Sequence, residues 1–288
     1  MRSGHAPTQS GCIDRLHPVA GALTKERPEV PVLDPIHLDA VDPQGLMPAV
    51  AASGLTKRYG QGATVVDALR GVDLAIEAGE MVAVMGPSGS GKSTLMHLLA
   101  GLDRPTSGVV TVAGQDITTL KEAALTRLRR DRIGFVFQGF NLLPTLTAEE
   151  NVALPIRLAG RTNAAAQSRI ANLIDRVGLF DRKRHRPAEL SGGQQQRIAV
   201  ARALVTEPAV VFADEPTGNL DSRSSAEVLG LLRDAASDFG RAVVMVTHDA
   251  RAAAEADRVL FLADGLVVAE HSHLSSAEIL DAMKEMAR

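Results

Sequence analysis

From Ala49 onward the apolar positions fall into two alternating patterns. Wholly apolar runs at Met81–Met85, Ala209–Ala213 and Ala242–Val246 read as strands buried on both faces, because a strand wetted on one side alternates instead. Val65–Val66 and Val72–Ile76, which lead to Gly79, are further strand-like stretches, as are Val109–Val112 and Ile133–Phe137. Between the runs the period lengthens. A helix is expected over Ser93–Ala100, with Leu95, Leu98 and Leu99 inward, Gly101 as its stop and Pro105 beyond. From about residue 139 to 189 the β-branched runs vanish and helix signals dominate. There Asn163 can cap a helix that turns Ile170, Leu173, Ile174 and Val177 inward. Ser275 and Glu278 form a capping box for a last helix, with Leu274 and Ile279 as its hydrophobic staple. Buried strands alternating with helices predict an α/β fold, a parallel sheet covered on both faces, with a helical insertion at 139–189.

Residues 1–48 break this pattern. They hold seven of the fourteen prolines, no aromatic residue and no sustained period, so they are expected to form a disordered tail. The tail lacks the apolar centre of a signal peptide. Met47, just ahead of the first strand-like run, is an alternative start of translation. Over all 288 residues, 45% are hydrophobic and 23% charged, which excludes disorder throughout. A net charge of −3 excludes the general basic excess of a non-specific nucleic-acid binder. The single cysteine, Cys12, excludes an internal disulfide and fits a reducing compartment. No apolar run approaches the roughly 18 residues that cross a bilayer, so a membrane role would come through a partner.

Candidate chemistry enters at the glycine-rich turn after Met85. Gly86, Pro87, Ser88, Gly89, Ser90, Gly91, Lys92 and Ser93 fit G-x-x-x-x-G-K-[ST] between a buried strand and a helix. Glycines let successive N–H groups point at phosphate oxygens, and the helix N-terminus adds positive partial charge. Lys92 is expected at the β and γ phosphates and the Ser93 hydroxyl on Mg²⁺, with Thr94 completing the set. A second strand, Val210–Ala213, ends in Asp214 and Glu215: one carboxylate for the metal, the next to polarise water. Ser191, Gly192, Gly193 and Gln194 open a helix with Ile198, Ala201, Leu204 and Val205 on one face. That is a second anion cradle, and one ATP needs only one.

Together these residues resemble the ATP-binding subunit of an ABC transporter, over roughly Ala49–Glu270. The order is the phosphate loop, Gln138 after Phe135–Phe137, Leu190–Gln194, Asp214–Glu215, Asn219–Asp221 and Thr247–Asp249. The resemblance implies a P-loop ATPase core at 49–271, with an N-terminal antiparallel β portion and a helical subdomain at about 139–189. A C-terminal helix over 272–288 completes the division. It also implies ATP and Mg²⁺ as ligands, with Gln138 joining Ser93 and Asp214 on the metal. His248 would join Glu215 and Lys92 in catalysis, Tyr59 would stack on adenine, and Asp221 would lie across a homodimer interface. Two copies would pack head to tail around two ATP molecules, each Ser191–Gln194 turn closing on the other copy's nucleotide. A partly buried packing tyrosine is the alternative for Tyr59.

Phe135–Val152 and Asp214–Asp221 resemble the branch that covers lipoprotein release, macrolide or peptide efflux and cell-division complexes. That implies an FtsX-like permease on a separate chain, a cytoplasmic protein peripheral to the membrane's inner face, and no nucleic-acid partner. A mechanically coupled ATPase of cell division or envelope regulation, moving no cargo, is the alternative. A DNA-repair or translation ATPase of the same fold fits less well, with a single cysteine and a single phosphate loop. The basic clusters Arg127, Arg129, Arg130, Arg132 and Arg182, Lys183, Arg184, Arg186 read as solvated helical faces, or as contacts to acidic lipid or a permease loop. His97 reads as a packing residue.

Overall fold

The computed structural model describes residues 47–286. The expected tail therefore lies outside the described residues, apart from Met47 and Pro48, and so does Cys12. In chain order the elements are β1 (Val50–Tyr59), β2 (Val66–Ile76), β3 (Met81–Met85), α1 (Lys92–Leu99), β4 (Ser107–Val112) and β5 (Gln115–Asp116). Next come α2 (Glu122–Arg132), β6 (Ile133–Phe137), α3 (Ala148–Leu158), α4 (Ala164–Arg176), α5 (Gly192–Leu204) and β7 (Val210–Asp214). The last are α6 (Ser222–Ser237), β8 (Ala242–Val246), α7 (Ala250–Ala253), β9 (Arg258–Ala263), β10 (Leu266–Ser272) and α8 (Ser276–Met286).

A six-stranded sheet in the order β10-β9-β3-β8-β7-β6 forms the centre. Its strands are parallel from β9 to β6, and only β10 runs antiparallel, against β9. Strand alternation then divides the core in two. Met81, Ala83, Met85, Val211, Ala213, Val243 and Met245 face one side, where α3, α4, α5, α6 and α7 cover them. Val82, Val84, Val210, Phe212, Val244 and Val246 face the other, under α1, α2 and a second, antiparallel sheet in the order β2-β1-β4-β5. One face of the parallel sheet is thus covered by helices and the other by two helices and a sheet. Removing the buried bulk of such a position, as in Phe212→Ala, costs about 3–5 kcal/mol.

Several expected boundaries shift. Val66 and Val72–Ile76 belong to one strand, β2, with Val65 just ahead of it, because pairing with β1 carries the strand through Gly71 at φ +105° with register shifts along the way. Helix α1 begins at Lys92 rather than Ser93, and the last helix begins at Ser276 after a strand that runs to Ser272. The expected caps are present: Asn163 accepts from the Ala166 N–H, and Ser275 and Glu278 exchange bonds. Arg127, Arg129 and Arg130 do lie on a helix, yet Arg129 donates to the Gly101 carbonyl and Glu122, and Arg130 to Asp131. The second cluster is not a helical face: Arg182–Arg186 run from the end of one short 3₁₀ turn, Phe180–Arg182, to the start of another, Pro187–Glu189, with the Lys183 ammonium over the Phe180 ring.

Candidate functional site

The phosphate-type loop joins β3 to α1 where no side chain fits. Gly86 has φ +151°, and a Cβ on it would meet the Leu262 carbonyl oxygen of β9 at 1.9 Å. Gly91 has φ +105°, and its Cβ would meet the Ala68 carbonyl oxygen at 2.4 Å. These contacts press the loop against β2 and β9 and leave its outer side open, with nothing within 4 Å of a Cβ on Gly89. A cleft of about 750 Å³ runs along that side. Ser88, Gly89, Gly91, Lys92, Ser93 and Thr94 line it beside Val66–Ala68 and the Asp264–Gly265 turn. Pro87 is exposed, and the Ser90 hydroxyl is buried without a partner. Lys92 folds back, donating from Nζ to the Gly86 and Pro87 carbonyls at 2.9 and 2.8 Å.

Two carboxylates stand near that ammonium. Burial pushes the Lys92 pKa down, while the charges of Glu215 and Asp214 oppose the shift. Asp214, the last residue of β7, has its pKa raised by burial, and the charges of His97 and Lys92 draw it back. Glu215 leaves the strand at φ +47°, a conformation an L-residue rarely holds, with its N–H on the Val246 carbonyl. From there its Oε1 lies 2.8 Å from Nδ1 of His248, a largely exposed residue just past β8. Gln138 follows β6 and is locked to Asn219: its Nε2 donates to Asn219 Oδ1 at 3.2 Å, and Asn219 Nδ2 donates to the Gln138 main-chain carbonyl at 3.1 Å. Gly218 lies so close that a Cβ would meet Gln138 Nε2 at 2.7 Å.

A separate group forms at the start of α5. Ser191 caps the helix in a box with Gln194, and the glycine N–H groups of the first turn have no partner within the helix. Gly193 packs against α6, where its Cβ would meet the Ser224 hydroxyl at 2.5 Å, and Asp221 caps α6 through that same Ser224. Ser191, Gly192, Gly193, Gln194 and Asp221 are thus one neighbourhood, and none of them lines the Lys92 cleft. Tyr59 stands apart from both. Its hydroxyl donates to Asp103, its ring lies under the Lys57 ammonium, and it is not among the cleft's lining residues.

The residues suit a polyphosphate and a hard cation. An open cradle of backbone N–H groups, a lysine and an orphaned buried hydroxyl match phosphate oxygens, and Ser93 with Asp214 supplies oxygen donors for a divalent ion. Among the described residues no three His, Cys, Asp or Glu side chains form a metal-binding group. An ion there would draw its other ligands from phosphate and water.

The family model for ABC transporters matches residues 69–218, spanning the phosphate loop, Ser191–Gln194 and Asp214–Glu215. The chain belongs to the ABC transporter family. The cassette is 47% identical over 255 residues to a macrolide export ATP-binding/permease protein, MacB, of Nitrosomonas europaea, covering 83% of this chain and 38% of that one. It is 50% identical over 224 residues to a pyoverdine export ATP-binding/permease protein, PvdT, of Pseudomonas syringae pv. syringae, covering 77% and 34%. The cassette therefore spans about a third of the length of the curated relatives it matches. Among solved structures it resembles the dimeric, post-hydrolysis state of the ATP-binding cassette MJ0796 bound to ADP and Pi. The TM-score is 0.71 at 41% identity, covering 78% of this chain and 99% of that one. The cassette is an ATPase of this family. No helix among its described residues is long and apolar enough to cross a membrane.

Three features of the site escape a sequence reading. His97 reads as a packing residue, yet its charge acts on Asp214. The Glu215–His248 contact joins residues 33 apart, and the Gln138–Asn219 lock residues 81 apart. Asp214-Glu215 closes one buried strand and Thr247-His248 follows another, which is the available signal: β7 and β8 are neighbours, so their ends must meet.

Proposed function

We propose that the cassette hydrolyses Mg·ATP in a pocket completed by a second copy, and that the paired cassettes drive an FtsX-like membrane permease from the cytoplasmic face, in export. The observation that carries this reading is the separation of two anion cradles. Ser88, Gly89 and Gly91–Thr94 line the cleft, whereas the Ser191–Gln194 turn and Asp221 form a neighbourhood outside it. A head-to-tail pair would bring each turn onto the other copy's nucleotide and neutralise its phosphates from both sides. The names of the relatives, both export ATP-binding/permease proteins, support the coupling to export.

On this reading the loop N–H groups bind the phosphate chain, and Lys92 exchanges the Gly86 and Pro87 carbonyls for β and γ oxygens. Ser93, Asp214 and Gln138 would hold Mg²⁺. That ion, when bound, supplies charge neutralisation across the β and γ phosphates. Glu215 orients and polarises the attacking water. His248 steadies the Glu215 carboxylate and meets the γ phosphate, and Tyr59 stacks on the base. Glu215→Gln keeps the side chain's shape and removes the basic oxygen. Its turnover is expected to fall by about 10²-fold or more while ATP stays bound and the dimer accumulates on size-exclusion chromatography. Near-normal hydrolysis by this variant would take Glu215 out of its role.

A further inference from the structure

One buried amide joins the two neighbourhoods, and the proposed chemistry makes no use of it. β6 and β7 stay in register to their ends, with Phe137 opposite Asp214. Beyond that rung the chains part, one into Gln138 and the other into Glu215 and Pro216. Gln196, on α5, is fully buried, and its Nε2 donates to the carbonyls of Phe137 at 3.2 Å and Pro216 at 2.6 Å. Two carbonyls cannot bond each other, so the amide takes the place of the missing rung. Its own Oε1 is buried with no partner. A methionine of similar volume would avoid that penalty, so filling space does not account for an amide here. Further along α5, Arg202 donates to the carbonyls of Phe140 at 2.9 Å and Asn141 at 2.5 Å, two successive residues at φ +60° and +50°. The helix thus grips the backbone on both sides of Gln138 and just past Glu215. Its own N-terminus is the Ser191–Gln194 turn.

We infer that Gln196 is a positioning residue that carries the placement of the Ser191–Gln194 turn into Gln138 and Glu215 of the same chain. The inference rests on the two-copy reading above. When the turn engages the second copy's nucleotide, α5 shifts as a unit, and the amide moves the Phe137 and Pro216 carbonyls with it. Each copy's catalytic groups are thereby set by whether its own turn is occupied.

The test compares the full-length wild type with Gln196→Met, Gln138→Ala and the double variant. Turnover is divided by the number of nucleotide sites titrated with a fluorescent ATP analogue, so that misfolded protein drops out. Gln196→Met is expected to lose about tenfold in kcat per titrated site, with KM for ATP and analogue affinity within about twofold of wild type. With Gln138→Ala already present, the same substitution is expected to cost clearly less, because the two share a path. Unchanged kcat per titrated site, or losses that multiply in full, would overturn the inference. Gln196→Glu decides the matter if the methionine variant does not fold. A neutral carboxyl keeps one O–H to donate and an ionised one keeps none, so its kcat relative to wild type is expected to fall as pH rises. A pH-independent ratio would overturn the inference equally. The wild-type arm, followed with chain concentration, separately reports whether a second copy is needed, so failure of the underlying reading is seen there alone.

Discussion

Asp214 and Lys92 each occupy a place that disfavours their charge. Burial raises the carboxyl pKa and lowers the ammonium pKa, and each is rescued in part by the other. A polyphosphate and a divalent cation would relieve both, as the proposed chemistry requires. The raised Asp214 pKa has a sign that can be checked. The proton stays on this carboxyl to a higher pH than on an ordinary aspartate, so at acidic pH the metal must displace it. Turnover is therefore expected to fall as pH drops through that pKa, and added Mg²⁺ should move the acid limb to lower pH. Profiles at limiting and saturating Mg²⁺ measure this; an acid limb indifferent to Mg²⁺ would remove Asp214 from the metal. At this scale the sequence displays which residues are chemical, because glycine spacing and strand-ending carboxylates are local features. It does not display that Glu215 would bond His248, since that depends on β7 and β8 ending side by side.

Elements were legible in proportion to how strongly one force acts on them. Met81–Met85 and Ala242–Val246 are wholly apolar and appear as strands with those bounds. Asn163 and Ser191 cap the helices expected of them because a short polar side chain before an apolar period has few other uses. β9 and β10 were not foreseen: Arg258, Glu270 and His271 dilute their pattern, and Arg258 is held inside by Glu80, Glu270 and the Ala75 carbonyl. Helix α2 was legible only as a basic helical face over Arg127–Arg132. It buries only Leu125 and Leu128, and Arg129 is held in part by the Gly101 carbonyl, a tertiary partner that no local pattern announces. The capping argument makes its own prediction. Asn163→Ala leaves the Ala166 N–H without its partner and is expected to cost about 0.5–2 kcal/mol by denaturant unfolding, with kcat per folded molecule unchanged. No loss of stability would show that α4 is held by packing alone.

Among the described residues the candidate chemistry gathers at strand ends of the mostly parallel six-stranded sheet, as it does in open α/β sheets. β3 feeds the loop at Gly86, β6 feeds Gln138, β7 feeds Asp214 and Glu215, and β8 feeds His248. The helical layer carries the Ser191–Gln194 turn to a different place, outside the Lys92 cleft. On the proposed reading neither neighbourhood is a whole active site, and a single copy leaves both half-built. The direct test is the specific activity of the wild-type chain across a wide range of concentration, with molar mass followed by light scattering in the same samples. Activity per chain should collapse on dilution in step with the loss of the ATP-bound dimer. Constant activity per chain in samples that weigh as monomers would contradict the two-copy site.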